Sequence, residues 1–234
     1  MPSILCRGLL IDMDGVLVDS TAAIARVWAR WAARYNMDPA TVTAFAHGRT
    51  SLNSIRELLP DESPELHLEE DSWMLQAEIE DVADVVALPG ARELLAAVPT
   101  AQRVVVTSAA RSLAEVRLRA AGVWDLVHHV VTSSDIQNGK PHPEPYLKGA
   151  AALQLPPADC VVIEDAASGT RSGKSAGARV LGIRTTSTDV ELLAAGADWI
   201  ANDCASLRCT VAPTGKELTI EFPANEIPRL PKMS

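Results

Sequence analysis

No lysine precedes Lys140 in this chain of 234 residues, although arginine is frequent before it. That removes Schiff-base chemistry from everything ahead of residue 140. The four cysteines, Cys6, Cys160, Cys204 and Cys209, form no CxxC pair. A zinc ribbon or dithiol redox centre is therefore excluded, and reduced thiols in a cytoplasmic protein are expected. No apolar run approaches the roughly eighteen residues a membrane span needs, and MPSILCRGLL carries no basic region ahead of a long apolar core. The expectation is a protein neither membrane-bound nor exported. Basic residues do not dominate either: 21 Lys and Arg against 30 Asp and Glu give a formal charge of −9. Such a balance disfavours a surface that tracks nucleic-acid phosphates.

Acid is concentrated between Asp61 and Asp84, which holds ten carboxylates and no Lys or Arg. The segment reads mainly as the solvated face of one or two helices. With 47% apolar residues the chain can bury a sizeable core, as one large domain or one domain carrying an insertion.

From residue 88 onward, short β-branched runs alternate with helical patterns: RVVVTS, SLAEVRLRAAG, HHVVTS, PEPYLKGAAALQL, CVVIED and ARVLGIR. This alternation predicts an α/β fold, a doubly wound, Rossmann-like parallel sheet covered by helices on both faces. Gly122 and Gly177 fit helix C-termini. The run Ile4–Ile11 reads as the first strand of the same sheet, whereas Val18 to about Val86 reads as helix alone. Ile24, Val27, Trp28, Trp31 and Tyr35 share one helix face, so the tryptophans are expected in a core. A helical block after the first strand implies an inserted cap, residues 18–86, over a core formed by 1–17 and 87–234. It would cover the C-terminal edge of the sheet, where such folds bind ligands. LRCTV, APTGK and ELTIEF predict a C-terminal β-hairpin.

Polar clusters follow four of the predicted strands. Asp12 and Asp14 follow the first, Thr107 and Ser108 follow RVVV, Lys140 lies beyond HHVV, and Glu164 and Asp165 close CVVIED. All fall at one sheet edge, in loops able to converge. Asp12, Glu164 and Asp165 are hard oxygen ligands of the type Mg²⁺ takes, and a cation relieves the repulsion between neighbouring carboxylates. A calcium EF-hand loop fails here, because glycine stands fourth when Asp12 is counted first, not sixth, and Val-Leu-Val follows. Thr107-Ser108 fits a plain helix N-cap, or a phosphate cradle with the N–H groups that follow it, Ala109 among them. Lys140 fits a solvated loop lysine, or an ammonium that keeps Asp12 ionised and balances phosphate. Together the groups suit phosphoryl transfer through an aspartyl-phosphate, Asp12 attacking and Asp14 serving as acid and then base.

IDMDGVLVDS, VVVTSA, NGKPHPEPY and VVIEDAASG, in this order, resemble the haloacid-dehalogenase-like phosphatase superfamily over nearly the whole chain. The resemblance implies Asp12 as nucleophile and metal ligand, and Asp14 as acid/base with its carbonyl on Mg²⁺. It implies Ser108 as phosphate ligand ahead of Thr107, Lys140 as charge balance, Asp165 on the metal, and Glu164 as its direct or outer partner. AFAHGRTSLNSI and ALPGA look most like sugar and sugar-alcohol phosphatases, whose region matching His47-Gly48-Arg49-Thr50 faces the substrate. Arg49, and less so Asn53, are then the specificity residues, unless Arg49 is only an exposed cap arginine. The implied substrate is a small sugar or polyol phosphate, and a monomer or weak dimer is expected. Asp14 and the acid pair count against dehalogenation, and the absence of early lysine counts against phosphonate cleavage. A β-phosphoglucomutase-type mutase shares all four motifs, and a phospho-acceptor signalling module shares the acids, hydroxyl and lysine.

Overall fold

The structure, a computed structural model, describes residues 2–46 and 48–223. In chain order the elements are β1 (Ser3–Cys6), β2 (Gly8–Ile11), β3 (Val18–Asp19), α1 (Thr21–Arg34), α2 (Pro39–Ala46), α3 (Ser51–Leu58), α4 (Pro64–Glu80), β4 (Val86–Ala87) and α5 (Ala91–Ala97). They continue with β5 (Arg103–Val106), α6 (Arg111–Ala120), β6 (Val130–Val131), α7 (Glu144–Ala152), β7 (Cys160–Glu164), α8 (Ala167–Ser175), β8 (Arg179–Ile183), α9 (Asp189–Ala195), β9 (Trp199–Ala201), β10 (Arg208–Val211) and β11 (Leu218–Glu221).

The main sheet runs β6-β5-β2-β7-β8-β9, parallel throughout. Its strands are largely apolar because both faces are covered, with charge confined to their ends at Arg103, Glu164 and Arg179. Leu9, Ile11, Val105 and Ile163 pack with α5 and α6 on one face, while Leu10, Val104, Val106 and Val162 pack with α7 on the other. The chain winds outward from β2 to β5 and β6, then crosses to β7. This reversal opens a crevice at the C-terminal end of β2, the expected ligand position in a doubly wound sheet. Gly122 and Gly177 take positive φ just beyond α6 and α8, as helix C-termini favour.

Two expectations about the strands are corrected. Ile4–Ile11 is not one strand: Arg7 turns the chain, its N–H donating to the Asp159 carbonyl at 2.8 Å. Ile4 and Cys6 are buried while Ser3 and Leu5 are exposed, the alternation of a one-sided sheet. β1 accordingly pairs antiparallel with β11 of the C-terminal hairpin, and only β2 enters the main sheet. The segment from Val18 to Val86 is also not helix alone. Its ends form the β3–β4 pair, Val18 opposite Ala87 and Asp19 opposite Val86, so the chain leaves and returns side by side.

Between them, α1–α4 enclose their own core of Val27, Trp28, Trp31, Val42, Ile55 and Met74, with Ile24 and Tyr35 at its margin. The acidic stretch is not wholly solvated. Glu70 on α4 is buried and accepts from Arg34 at 2.6 Å, and Glu78 is buried against Arg117 of α6. Among the described residues no helix is long and apolar enough to cross a membrane.

Candidate active site

β2 ends at Ile11, and the Asp12 N–H still donates to the Ile163 carbonyl of the neighbouring strand at 3.0 Å. The carboxylate of Asp12 is thereby fixed where the sheet opens. Gly15 then takes φ +80°, and a Cβ there would lie 1.9 Å from Asp165 Oδ2. Glycine at this turn allows the backbone after Asp14 to approach the Asp165 carboxylate. Met13 is fully buried, and its carbonyl accepts from the N–H groups of Leu17 at 2.8 Å and Val18 at 3.0 Å, closing the turn.

Lys140 joins the cluster. Its ammonium, 1% exposed, donates to Asp12 Oδ1 at 2.7 Å, Glu164 Oε1 at 2.6 Å and the Val106 carbonyl at 3.2 Å. All three of its protons are used, so it is a buried charge carrier rather than a solvated loop lysine. Burial alone would lower its pKa, but Asp12 and Glu164 outweigh that and raise it. Glu164 accepts four bonds: Lys140 and the Tyr146 hydroxyl, at 2.8 Å, on Oε1, and the Asp165 and Ala166 N–H groups, both at 3.0 Å, on Oε2. Gly169 makes room for it, since a Cβ there would lie 1.5 Å from Oε1. Asp165 accepts from the Thr186 hydroxyl on Oδ2.

Asp12, Glu164 and Asp165 each offer an oxygen within 4.8 Å of the others. Burial and the Glu164 charge, with a further push from Asp165, raise the Asp12 carboxyl well above its usual range despite Lys140. Three buried carboxylates against one ammonium thus lack positive charge, and hard oxygen donors at this spacing suit a small divalent cation. The residues present fit such an ion.

Asp14 is separated from Lys140 by environment. Its Oδ1 accepts from Ser20 Oγ at 2.5 Å and Arg117 Nη1 at 3.1 Å. Thr107 and Ser108 lie ahead of the Ala110 cap of α6, so neither caps that helix. Thr107 is buried and accepts the Ala109 N–H at 3.1 Å, and Ser108 donates to the Gly48 carbonyl at 3.3 Å; both line the cavity. Ser168, at the start of α8, donates to that same carbonyl at 3.0 Å, so the loop before α3 is pinned to the loop after β5 and to α8.

These groups line a cavity of about 370 Å³ with Ser108, Ala109, Arg49, Asn53, Asp12, Asp14 and Asp165 on its walls. Glu164 and Lys140 sit beneath it. Arg49 reaches the wall but spends its guanidinium on Glu57, at 2.9 Å, and on the Phe45 ring, 4.4 Å away. His47 lies outside the described residues. Sequence reasoning missed Tyr146, Thr186, Ser20, Glu78 and Arg117. Arg117 alone left a signal, since it shares the apolar face of α6 with Leu113, Ala114 and Leu118.

Fold and site together define a class: a doubly wound α/β core whose carboxylate–lysine cluster lies at the switch point, beneath a helical insertion. Residues 6–177 match the haloacid dehalogenase-like hydrolase family, and the chain belongs to it. It is 38% identical to hexitol phosphatase A of Escherichia coli (strain K12), over 76% of this chain and 83% of that one. Glycerol-1-phosphate phosphohydrolase 2 of Saccharomyces cerevisiae is 32% identical over 88% of this chain and 86% of its own. A hydrolase structure from Pseudomonas syringae superposes with a TM-score of 0.78 over 85% of this chain and 94% of that one, at 24% identity.

Proposed function

We propose that this protein is a Mg²⁺-dependent phosphatase that hydrolyses small sugar or polyol phosphates through an aspartyl-phosphate on Asp12. The observation that carries the reading is the buried contact of Asp12 with Lys140, 2.7 Å, at the base of the cavity beside two further carboxylates. The phosphatase names of the two relatives support the same reaction class.

Asp12, Asp165 and the Asp14 carbonyl would hold Mg²⁺, which supplies charge neutralisation for the phosphoryl group. Glu164, with four donors on it, fits better as the group that fixes Lys140. Asp12 Oδ2, free of Lys140, attacks phosphorus, and Ser108 and Lys140 take up charge on the transferring group. Asp14 gives its proton to the departing alkoxide and then takes one from the water that cleaves the acyl phosphate. Residues 18–86 work as a cap that excludes water and holds the alcohol portion, with Arg49 and Asn53 on its wall. The four free cysteines accord with a cytoplasmic setting.

Phosphate release across hexose, hexitol and glycerol phosphates, with Mg²⁺ and with chelator, tests the proposal. Turnover that depends on added cation and favours polyol or sugar phosphates supports it. Turnover that survives chelation, or an isomerised sugar phosphate in place of free phosphate, contradicts it.

A further inference from the structure

The reaction outlined above leaves the buried guanidinium of Arg117 without a task. Arg117, the seventh residue of α6, has a side chain only 4% exposed and lines the cavity wall. Its Nη1 donates to Asp14 Oδ1 at 3.1 Å, and its Nη2 donates to Glu78 Oε1 at 3.2 Å. Glu78 belongs to α4, inside the helical insertion, and is itself buried. A single guanidinium therefore bridges the two parts of the protein and ends on the carboxylate assigned to move the proton.

The pattern of donors matters more than the charge. Guanidinium can only donate, and Ser20 adds its hydroxyl to the same oxygen at 2.5 Å. Asp14 Oδ1 is thus an acceptor occupied from two sides, and the mobile proton belongs on Oδ2. Two donors on one oxygen also fix the rotation of the carboxyl group, because the planar fork of Arg117 is anchored at its far end by Glu78. A buried ion pair is weak evidence for stability, and apolar side chains at both positions would dock α4 on α6 equally well. What apolar residues would not do is reach Asp14.

We infer that Arg117 is a positioning residue that aims Asp14 Oδ2 at the leaving group, and that Glu78 makes this aim depend on the docked helical insertion. The inference rests on the phosphatase reading, with Asp14 as acid. Proton donation matters when an alkoxide departs and little when a stabilised phenolate does, which separates aim from folding.

The experiment is rapid-quench measurement of the phosphoryl-transfer step in the Mg²⁺-loaded enzyme, with glycerol phosphate and with dinitrophenyl phosphate. Arg117→Met is expected to slow transfer from glycerol phosphate about 100-fold and from the aryl ester less than about threefold. Glu78→Gln should show the same selectivity at about tenfold, and Arg117→Lys should recover part of the loss. In an Asp14→Asn background, Arg117→Met should cost nothing further. Should Arg117→Met not fold, the Arg117→Met/Glu78→Met double variant, with no buried charge left unpaired, is read by the same criteria. Equal slowing of both esters, or a full additional loss on top of Asp14→Asn, overturns the inference while leaving the phosphatase reading intact. Absence of leaving-group dependence in Asp14→Asn itself overturns the acid role and the inference with it.

Discussion

The floor of the cavity and its lid are built on opposite principles. On the floor, Asp12, Lys140 and Glu164 come from three separate segments, are almost fully buried and hold one another at 2.6–2.7 Å. On the lid, Arg49 is partly exposed and tied to its own helical neighbours, Glu57 and Phe45, rather than to the core. The floor has one arrangement because each charge is neutralised by the next, and removing any member strands the others. The lid can exchange side chains without disturbing that balance. On the proposed function, this difference assigns the chemistry mainly to the floor and the choice of alcohol to the lid.

The sharpest way to break the comparison is at its centre. Asp12→Asn should lower turnover at least about 10⁴-fold, read by phosphate release, because it removes the proposed nucleophile. Lys140→Met should also abolish useful activity, and it should cost about 3–5 kcal/mol in urea unfolding by leaving Asp12 and Glu164 buried without their counter-ion. A lid substitution with an equal cost would erase the distinction.

Cation binding gives a third test, with a definite sign. Burial and the neighbouring Glu164 raise the metal-free Asp12 carboxyl, so as pH falls the folded site takes up its proton before the unfolded chain does. Its stability contribution is present below the unfolded pKa and is lost as pH rises through the folded one. A cation replaces that proton, so the Mg²⁺-induced rise in Tm should be larger at about pH 8 than at about pH 5. A rise independent of pH would mean that the ion binds elsewhere. Tyr146→Phe, which removes one of the four donors on Glu164, should cost about 1.5 kcal/mol with Mg²⁺ affinity little changed. Arg49→Ala should be mildest: a change of about threefold to tenfold in relative kcat/KM among sugar and polyol phosphates, with unfolding unaltered.

The main sheet was legible because strands buried on both faces are continuous apolar runs, and RVVV and CVVIED are such runs. The floor was legible because Asp12 follows β2, Glu164 closes β7 and Lys140 lies in the loop beyond β6. Less could be read where tertiary partners decide. Arg7 divides an apolar run into strands of two different sheets, a split visible only once β11 supplies a partner for β1. Glu70 and Glu78 look like two more acids on a solvated helix until Arg34 and Arg117 arrive from elsewhere in the chain. Tyr146 carries no local mark of its bond to Glu164, since phenol and carboxylate meet only when α7 packs against the sheet.

The central claim is that Asp12 carries the phosphoryl group between the two half-reactions. Acid quench during steady-state turnover of glycerol phosphate with Mg²⁺, followed by peptide mass analysis, tests it most directly. The account predicts a phosphoryl adduct on the peptide bearing Asp12, absent from Asp12→Asn and from chelated enzyme. Rapid turnover with no adduct on that peptide, or with an adduct on another residue, would contradict it.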